Sequence, residues 1–299
     1  MPNLASIVFT LTASAATSMP RYSARVLHAA FLRWLERDHP ELVRLLHDNN
    51  YQRPYTLSNL QGELIANNRD ERVRIEAGAK LWFRLTAMEE FFLQCVLDSI
   101  EKYKAGPQPD DRRLVPGPIY HSLDQHPWAA LSSFAQLAQA VTHESCEQPL
   151  RSHITLRFQS PTCFIENKQA LPLPVPRYVF GYLINKWQLA SPLALPVDDV
   201  QHFVESIHVS HAKIETEQVD LQKYQRTGFT GEARFALHPA LPENYRQALH
   251  LLARFAFFSG VGSHTTMGMG QAVHGAGGKF LSAICRLPLA ELLLVTKRL

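Results

Sequence analysis

The chain has 299 residues, long for one hydrophobic core and sufficient for two of about 100 to 150 residues each. Hydrophobic residues at 46% and charged residues at 19%, with no long block of like charge, exclude a largely disordered chain. A formal net charge of +3, with 14 histidines that a neighbouring phosphate can help to protonate, favours an acidic partner and permits nucleic acid.

Leu4 to Leu11 is apolar and β-branched and is expected as a first strand, followed by a small-residue loop from Thr12 to Ser18. From Met19-Pro20 onward, Leu27, Ala30, Phe31, Trp34 and Leu35 recur at helical spacing, with Arg21, Arg25 and His28 on another face. A second helix is expected to open at Asp38-His39-Pro40-Glu41, Pro suiting its first turn and Asp its cap, and to end on His47. Tyr55 to Leu60, Arg72 to Glu76 and Lys80 to Thr86 are predicted strands, and Ala87 to Ile100 a helix. Ala105 to Pro118, with its prolines and charges, is predicted as a loop. Ser132 to Ala140 is predicted helical, and Thr142 to Pro149 is the candidate boundary.

The second half repeats the pattern. Ser152 to Phe158 alternates as a strand, a proline-rich loop follows, and Tyr178 to Trp187 is amphipathic. Val204 to Ile214, Val219 to Tyr224 and Phe229 to Leu237 are strand candidates, with Gly228 and Gly231 marking a turn or bulge. Asn244 to Phe258 is a predicted helix with Ala248, Leu251, Leu252, Phe255 and Phe258 on its apolar side, and Ser282 to Leu287 a late strand. Cys95, Cys146, Cys163 and Cys285 show no zinc-like spacing and are expected to be reduced core residues. Met1 to Pro20 lacks the basic start and unbroken apolar run of a secretory signal, and no apolar stretch approaches the roughly 20 residues of a membrane span. A soluble cytoplasmic protein is expected.

Between the last long helix and the C-terminus lies Gly260-Val261-Gly262-Ser263-His264-Thr265-Thr266-Met267-Gly268-Met269-Gly270. Paired glycines suit either a tight hairpin or a loop whose amides face a polyanion. A dinucleotide fingerprint is excluded, because the third glycine is missing and the order is helix, loop, strand. Gly277-Gly278-Lys279 is followed by Phe280, which excludes a phosphate-binding P-loop. The nearest approach to a metal-ligand spacing, His208-Val209-Ser210-His211, places its two imidazoles on opposite faces of a regular strand, so a surface or RNA contact is the expected reading and no metal or cofactor is assigned.

Arg25 and His28 share a helix face, and His47 ends the next helix, so antiparallel packing would bring them together. An imidazole at a helix C-terminus is stabilised as a cation, either as a simple cap or for chemistry. Cleavage of RNA without a metal requires a base for the 2′-hydroxyl, an acid for the 5′-oxygen and a cation for the phosphorane. Two His and an Arg supply that set.

Several segments, in this order, resemble the CRISPR-associated endoribonucleases that cut precursor CRISPR RNA within its repeats, the sixth Cas protein family of the repeat-associated RNA-binding superfamily. They are RPYTLSNLQG at 53–62, LRFQSPTCF at 156–164, GFTGEARF at 228–235 and the glycine-rich GVGSHTTMGMGQ at 260–271. The resemblance implies an α+β fold of two tandem ferredoxin-like (RRM-like) domains with antiparallel sheets and a C-terminal glycine-rich loop, here 1–145 and 146–299. It also implies metal-independent cleavage leaving a 2′,3′-cyclic phosphate and a 5′-hydroxyl. The motif LVRLLHD carries over His47, and the first helix carries over Arg25 and His28. His28 is assigned as base, His47 as acid and Arg25 as phosphate clamp, with the two His roles open to exchange. Tyr22, Tyr51 and Arg53 are further candidates. Gly260, Gly262, His264, Thr265, Thr266, Gly268, Gly270, His208, His211, Lys213, Lys223 and Arg226 are the expected RNA contacts, and the expected partner is CRISPR repeat RNA, alone or within an effector complex. The alternative with the same fold is a non-catalytic RNA-binding subunit of such a complex, and a small-molecule enzyme using the glycines is the third reading.

Overall fold

The computed structural model describes residues 2–48, 51–66, 71–195, 204–221 and 224–275. In the first half the chain runs β1 (Leu4–Ala13), β2 (Thr17–Pro20), α1 (Ala24–Glu36), α2 (Pro40–His47), β3 (Tyr55–Leu57), β4 (Gln61–Gly62), β5 (Arg72–Ile75), β6 (Lys80–Ala87), α3 (Glu90–Tyr103), β7 (Leu114–Tyr120), β8 (Ala130–Ser132) and α4 (Phe134–Glu147). The second half contains β9 (His153–Thr162), β10 (Phe164–Glu166), β11 (Gln169–Leu171), α5 (Pro176–Ala190), β12 (Ile207–Asp220), β13 (Gln225–Leu237), α6 (Glu243–Ser259) and β14 (Ala272–His274).

Each half is built on a β-α-β-β-α-β unit, the split βαβ arrangement. The first sheet has the order β3-β6-β1-β7 and the second β12-β13-β9-β14, the same topology, with every neighbouring pair antiparallel. Alternation along β1 explains the layers: Ala5, Ile7, Phe9 and Leu11 join the core under α1 and α3, where Phe9 stacks on Phe83 at 5.3 Å between centroids. Leu4, Ser6 and Val8 point the other way and are buried as well.

What covers that second face is α6. Every residue from Ala248 to Ser259 is buried, and the helix packs against β1, β3 and β6 of the first sheet as well as β9 and β14 of the second. The single apolar face expected from the sequence is therefore an underestimate: from Ala248 onward the helix is buried on every side, His250 and Arg254 included. Arg84 on β6 crosses this seam. Its guanidinium lies 4.7 Å from the ring centroids of both Trp128 and Phe257, and it donates to Phe257 O at 3.2 Å and to Gln271 Oε1.

Several sequence expectations need correction. The predicted small-residue loop ends early, because Thr17–Pro20 pairs with β5, and Arg21 precedes α1 rather than lying on it. Asp38 does not cap α2; its carboxylate pairs with Lys102 on α3, and His39 holds the cap position without a side-chain bond. The proline-rich segment after Ala105 contributes β7, the fourth strand, which pairs on one side with β1 through a shifted register. Pro116 and Pro118 are tolerated there because an edge strand can spare amide donors. Three expected strands between 204 and 237 are two long ones forming a single hairpin, with a bulge opposite Gly231 (φ +117°) as anticipated. The helix α4 runs through the candidate boundary and packs Phe134, Leu137 and Val141 into the core of the second half. Cys95 and Cys163 are buried, but Cys146 is exposed; Cys285 and the late strand at Ser282 to Leu287 lie outside the described residues. Among the described residues no helix is long and apolar enough to cross a membrane.

Candidate active site and RNA interface

Helix α1 turns Leu27, Ala30, Phe31, Trp34 and Leu35 into the core, which leaves Arg25 exposed and His28 half-buried at the edge of the sheet. There His28 Nε2 lies 2.7 Å from the Tyr55 hydroxyl, the two rings stacked with centroids 5.9 Å apart. Tyr55 is fixed by β3 pairing and by stacking on Phe92 at 5.1 Å, so it holds the imidazole in one orientation. Burial, then the positive charges of Arg53 and His47, lower the His28 pKa from 6.5 to about 4, so the ring is neutral at physiological pH. His47 and Arg53 thus lie near enough for their charges to act on His28, although 25 positions of sequence separate the outermost two. His47 is exposed on the last turn of α2, and Arg53 Nε donates to Leu46 O at 3.2 Å beside it.

Of the further candidates, Arg53 stands beside the histidines, and with it Tyr55, whose hydroxyl the sequence reading did not single out; both sit in the RPYTLSNLQG segment. The other two candidates are occupied elsewhere: the Tyr51 hydroxyl donates to Glu89 at 2.8 Å and the Tyr22 hydroxyl to Glu217 at 2.8 Å. Burial first, and these carboxylates second, raise both phenols, Tyr51 to about 12.

Arg25, one turn before His28, reaches the second half, where its guanidinium donates to Leu221 O at 3.4 Å near the tip of the β12-β13 hairpin. Leu221 N is in turn bonded to Tyr224 O, and the Tyr224 hydroxyl lies 2.9 Å from His264 Nε2. Arg226 stacks its guanidinium 4.5 Å from the Tyr224 centroid. His264 has φ +60°, an uncommon conformation for a residue with a Cβ, and its Nδ1 and Arg226 Nε are buried with no hydrogen-bond partner among the described residues. Burial, followed by the charge of Arg226, lowers the His264 pKa. Arg226, His264, Arg25 and His28 thus follow one another along the junction of the two halves. Lys223 lies outside the described residues.

The glycine-rich segment is packed into that junction. Gly260, Gly262, Gly268 and Gly270 are buried, as are Thr265 and Thr266, whereas Ser263, His264 and Met267 are partly accessible. Much of its backbone is spent internally: Val261 N bonds Gly270 O, Ser263 N bonds Cys163 O, Gly270 N bonds Pro161 O, and Gly268 O accepts from Asn59 Nδ2. The amides of Val261, Ser263 and Gly270 therefore serve the fold, and side chains at 263, 264 and 267 are what this loop offers outward.

On the second sheet, a register shift between Val209 and His211 changes the geometry of the His pair. His208, His211 and Lys213 stand opposite Ala236, Arg234 and Glu232, alternate residues of β13, so they share one face instead of lying on opposite ones. Next in register on β9 are His153, Thr155 and Arg157. The reverse face carries Ile154, Leu156, Phe158, Ala233 and Phe235, all buried, so the cationic face is the open one. Among the described residues no group of three or more His, Cys, Asp or Glu could hold a metal ion.

The split βαβ repeat in both halves defines an α+β protein of two tandem ferredoxin-like units, with histidine and arginine side chains gathered along their junction. Comparison with known proteins makes this particular. Residues 1–139 match the CRISPR Cas6 N-terminal domain and residues 156–272 the CRISPR-associated endoribonuclease Cas6. The chain belongs to the Cas6 family of CRISPR-associated endoribonucleases. Among solved structures, Thermus thermophilus Cas6 (TTHB231) is 27% identical over 92% of this chain and 99% of its own, with a TM-score of 0.68. A product complex of Cas6 (TTHB231) gives 28% identity over 92% and 100%, TM-score 0.70, and one of Cas6 (TTHA0078) gives 25% over 91% and 99%, TM-score 0.69. A Cas6-related protein from Pyrococcus furiosus, 12% identical over 91% and 98% with a TM-score of 0.59, shares the fold. No match is found among curated proteins.

Proposed function

We propose that this endoribonuclease cuts precursor CRISPR RNA within its repeats by internal attack, without a metal, leaving a 2′,3′-cyclic phosphate and a 5′-hydroxyl. The observation that carries the reading is the convergence of His28, held by Tyr55, with His47 and Arg53. In the mechanism, the 2′-hydroxyl loses its proton to a base as its oxygen bonds to phosphorus, and the P–O5′ bond breaks as an acid protonates the departing oxygen. A ring neutral down to about pH 4 is unsuited to donating that proton at neutral pH, which favours His28 as base. With Nε2–H donated to the Tyr55 oxygen, Nδ1 carries the free lone pair that accepts it. His47, exposed at the end of α2, is the acid, and Arg25 and Arg53 offset charge on the phosphorane.

In this reading residues 1–145 carry the chemistry and 146–299 position RNA. His264, Arg226 and the open face bearing His208, His211 and Lys213 supply contacts, with the buried glycines and Thr265 shaping the loop that presents Ser263 and His264. The product complexes of Cas6 (TTHB231) and Cas6 (TTHA0078) support a bound cleavage product in this reading. Action in the cytoplasm, and handover of product to a multi-subunit effector, are compatible with the same surface.

The test uses end-labelled repeat RNA in EDTA. Cleavage by the wild type, its loss in His47→Ala and on 2′-deoxy substitution at the scissile nucleotide, and cyclic-phosphate ends are expected. Binding without any cleavage by the wild type would instead establish the non-catalytic RNA-binding subunit, and unchanged cleavage by His47→Ala would remove His47 from the mechanism.

A further inference from the structure

Helix α5 contains a glycine that its own helix does not need. Gly181 lies in the middle of a 15-residue helix, where glycine is among the poorest formers, and its φ is unexceptional. Close packing does not explain it, since a Cβ there would meet no atom of the described residues within 4 Å. It sits instead in the wall of a groove of about 290 Å³ between α5, β10 and the glycine-rich loop.

The groove has a particular chemistry. Phe164 and Tyr178 stack with centroids 5.6 Å apart and planes 25° from parallel, and the Arg177 guanidinium lies 4.5 Å from the Tyr178 centroid. Tyr182 completes the aromatic wall, and Ser263 forms the rim toward the loop. Arg177 is in the first turn of α5, where the helix dipole adds positive potential. Its carboxylate partner, Glu166 at 3.4 Å, is exposed, as Arg177 is, and such a pair is easily exchanged for another anion. Flat aromatic surface beside a guanidinium suits a planar base with a phosphate attached.

We propose that this groove holds one unpaired nucleotide of the RNA, its base against the Tyr178 and Tyr182 side of the groove at Gly181 and its phosphate toward Arg177. The proposal rests on the reading of the protein as an RNA-cleaving enzyme, because Ser263 on the accessible rim of the glycine loop places the groove next to the RNA path. The absent side chain at 181 is then a specificity device: it opens room for a base at the expense of helix propensity.

Gly181→Leu tests this directly, because leucine favours the helix, meets no neighbouring atom at Cβ and fills the groove. Its thermal midpoint should equal or exceed that of the wild type. Affinity for repeat RNA should fall about tenfold or more, in the range expected for losing one stacked base. Among RNAs each carrying a single abasic nucleotide, one should bind the wild type equally weakly and lose nothing further with Gly181→Leu. Arg177→Gln should lower the slope of log affinity against log salt by about one phosphate. Wild-type cleavage together with unaltered RNA affinity in Gly181→Leu would overturn the groove assignment alone. A wild type that neither binds nor cuts repeat RNA would overturn both it and the proposed function. Binding of adenosine monophosphate to the groove, with RNA affinity indifferent to Gly181→Leu, would make it a small-molecule site and also overturn the assignment.

Discussion

Gln271 accepts a hydrogen bond from Arg84 Nε at 3.0 Å, and this contact fastens the residue before the last strand of the second sheet to the third strand of the first. The guanidinium is almost wholly buried, and burial pulls its pKa down to about 9, so it remains charged at neutral pH. Neutral partners surround it: two aromatic rings, a carbonyl and an amide oxygen. Since the proposed reading puts the chemistry in one half and the RNA contacts in the other, their mutual placement decides whether bound RNA meets the histidines. Arg84→Leu should leave Gln271 Oε1 and Phe257 O without this donor and remove both ring contacts. A loss of about 3 kcal/mol is expected, from about 1–3 kcal/mol for each stranded group with partial relaxation. Urea unfolding measures it, and an unchanged midpoint would mean that the seam is held by the apolar packing of α6.

Tyr55→Phe separates orientation from binding. The ring stacking on Phe92 is kept, and what disappears is the hydroxyl 2.7 Å from His28 Nε2. With the imidazole free to rotate and to change tautomer, the single-turnover cleavage rate should fall by about 10- to 100-fold, within the span of one general base. RNA affinity should change by less than about twofold, because Tyr55 is buried behind the histidine. Equal losses in rate and affinity would place Tyr55 in RNA binding instead.

Much of the architecture was legible because apolar periodicity is local. Leu27, Ala30, Phe31, Trp34 and Leu35 announce α1 without reference to the rest of the chain, and the repetition of strand, helix, two strands, helix announces the tandem halves. What escaped depends on partners distant in sequence. Whether Pro116 and Pro118 fall in a loop or in a strand is decided by the availability of β1 beside them. Asp38 has the chemistry of a cap but meets Lys102, 64 residues away, and is used there. The face shared by His208 and His211 turns on one extra residue in β12, which alternation alone does not reveal. At the candidate site both histidines stand out by type, whereas Tyr55 is visible in the sequence only as the start of a strand, since its hydroxyl gains meaning from His28, 27 positions earlier.

Acid should destabilise the protein in a defined window. His28 has a folded pKa of about 4 against an ordinary 6.5, and His274 is likewise lowered to about 4, chiefly by burial. Protonation therefore favours the unfolded chain, which takes up these protons first as the pH falls. The associated stability is fully present above pH 6.5 and is lost progressively down to about 4. Arg53 and His47 face His28, and His250, Arg254 and Arg151 face His274, and their positive charges act in the same direction as burial. Thermal midpoints measured from pH 7 to pH 4 should decline, and more shallowly in a His28→Gln, His274→Gln double variant. An equal slope in that variant would assign the acid sensitivity to other groups.

The glycine loop yields a comparison between two backbone positions of similar conformation. Gly78 has φ +87° and nothing within 4 Å of where a Cβ would stand, whereas Gly268 has φ +84° and would place its Cβ 2.6 Å from Asn59 Oδ1 and 2.7 Å from the Ala24 Cβ. Gly78→Ala therefore carries the conformational penalty alone, on the order of 1 kcal/mol. Gly268→Ala adds overpacking of about 1–3 kcal/mol, because Ala24 opens α1 and Asn59 accepts the Ala24 amide at 2.9 Å, so neither can withdraw without loosening the helix that carries Arg25 and His28. The larger loss of unfolding free energy in Gly268→Ala should come with slower cleavage at saturating RNA, while Gly78→Ala should cut at the wild-type rate. Were the two variants equally stable and equally active, the glycine at 268 would be shaping the loop for its own conformation and not for its contact with α1.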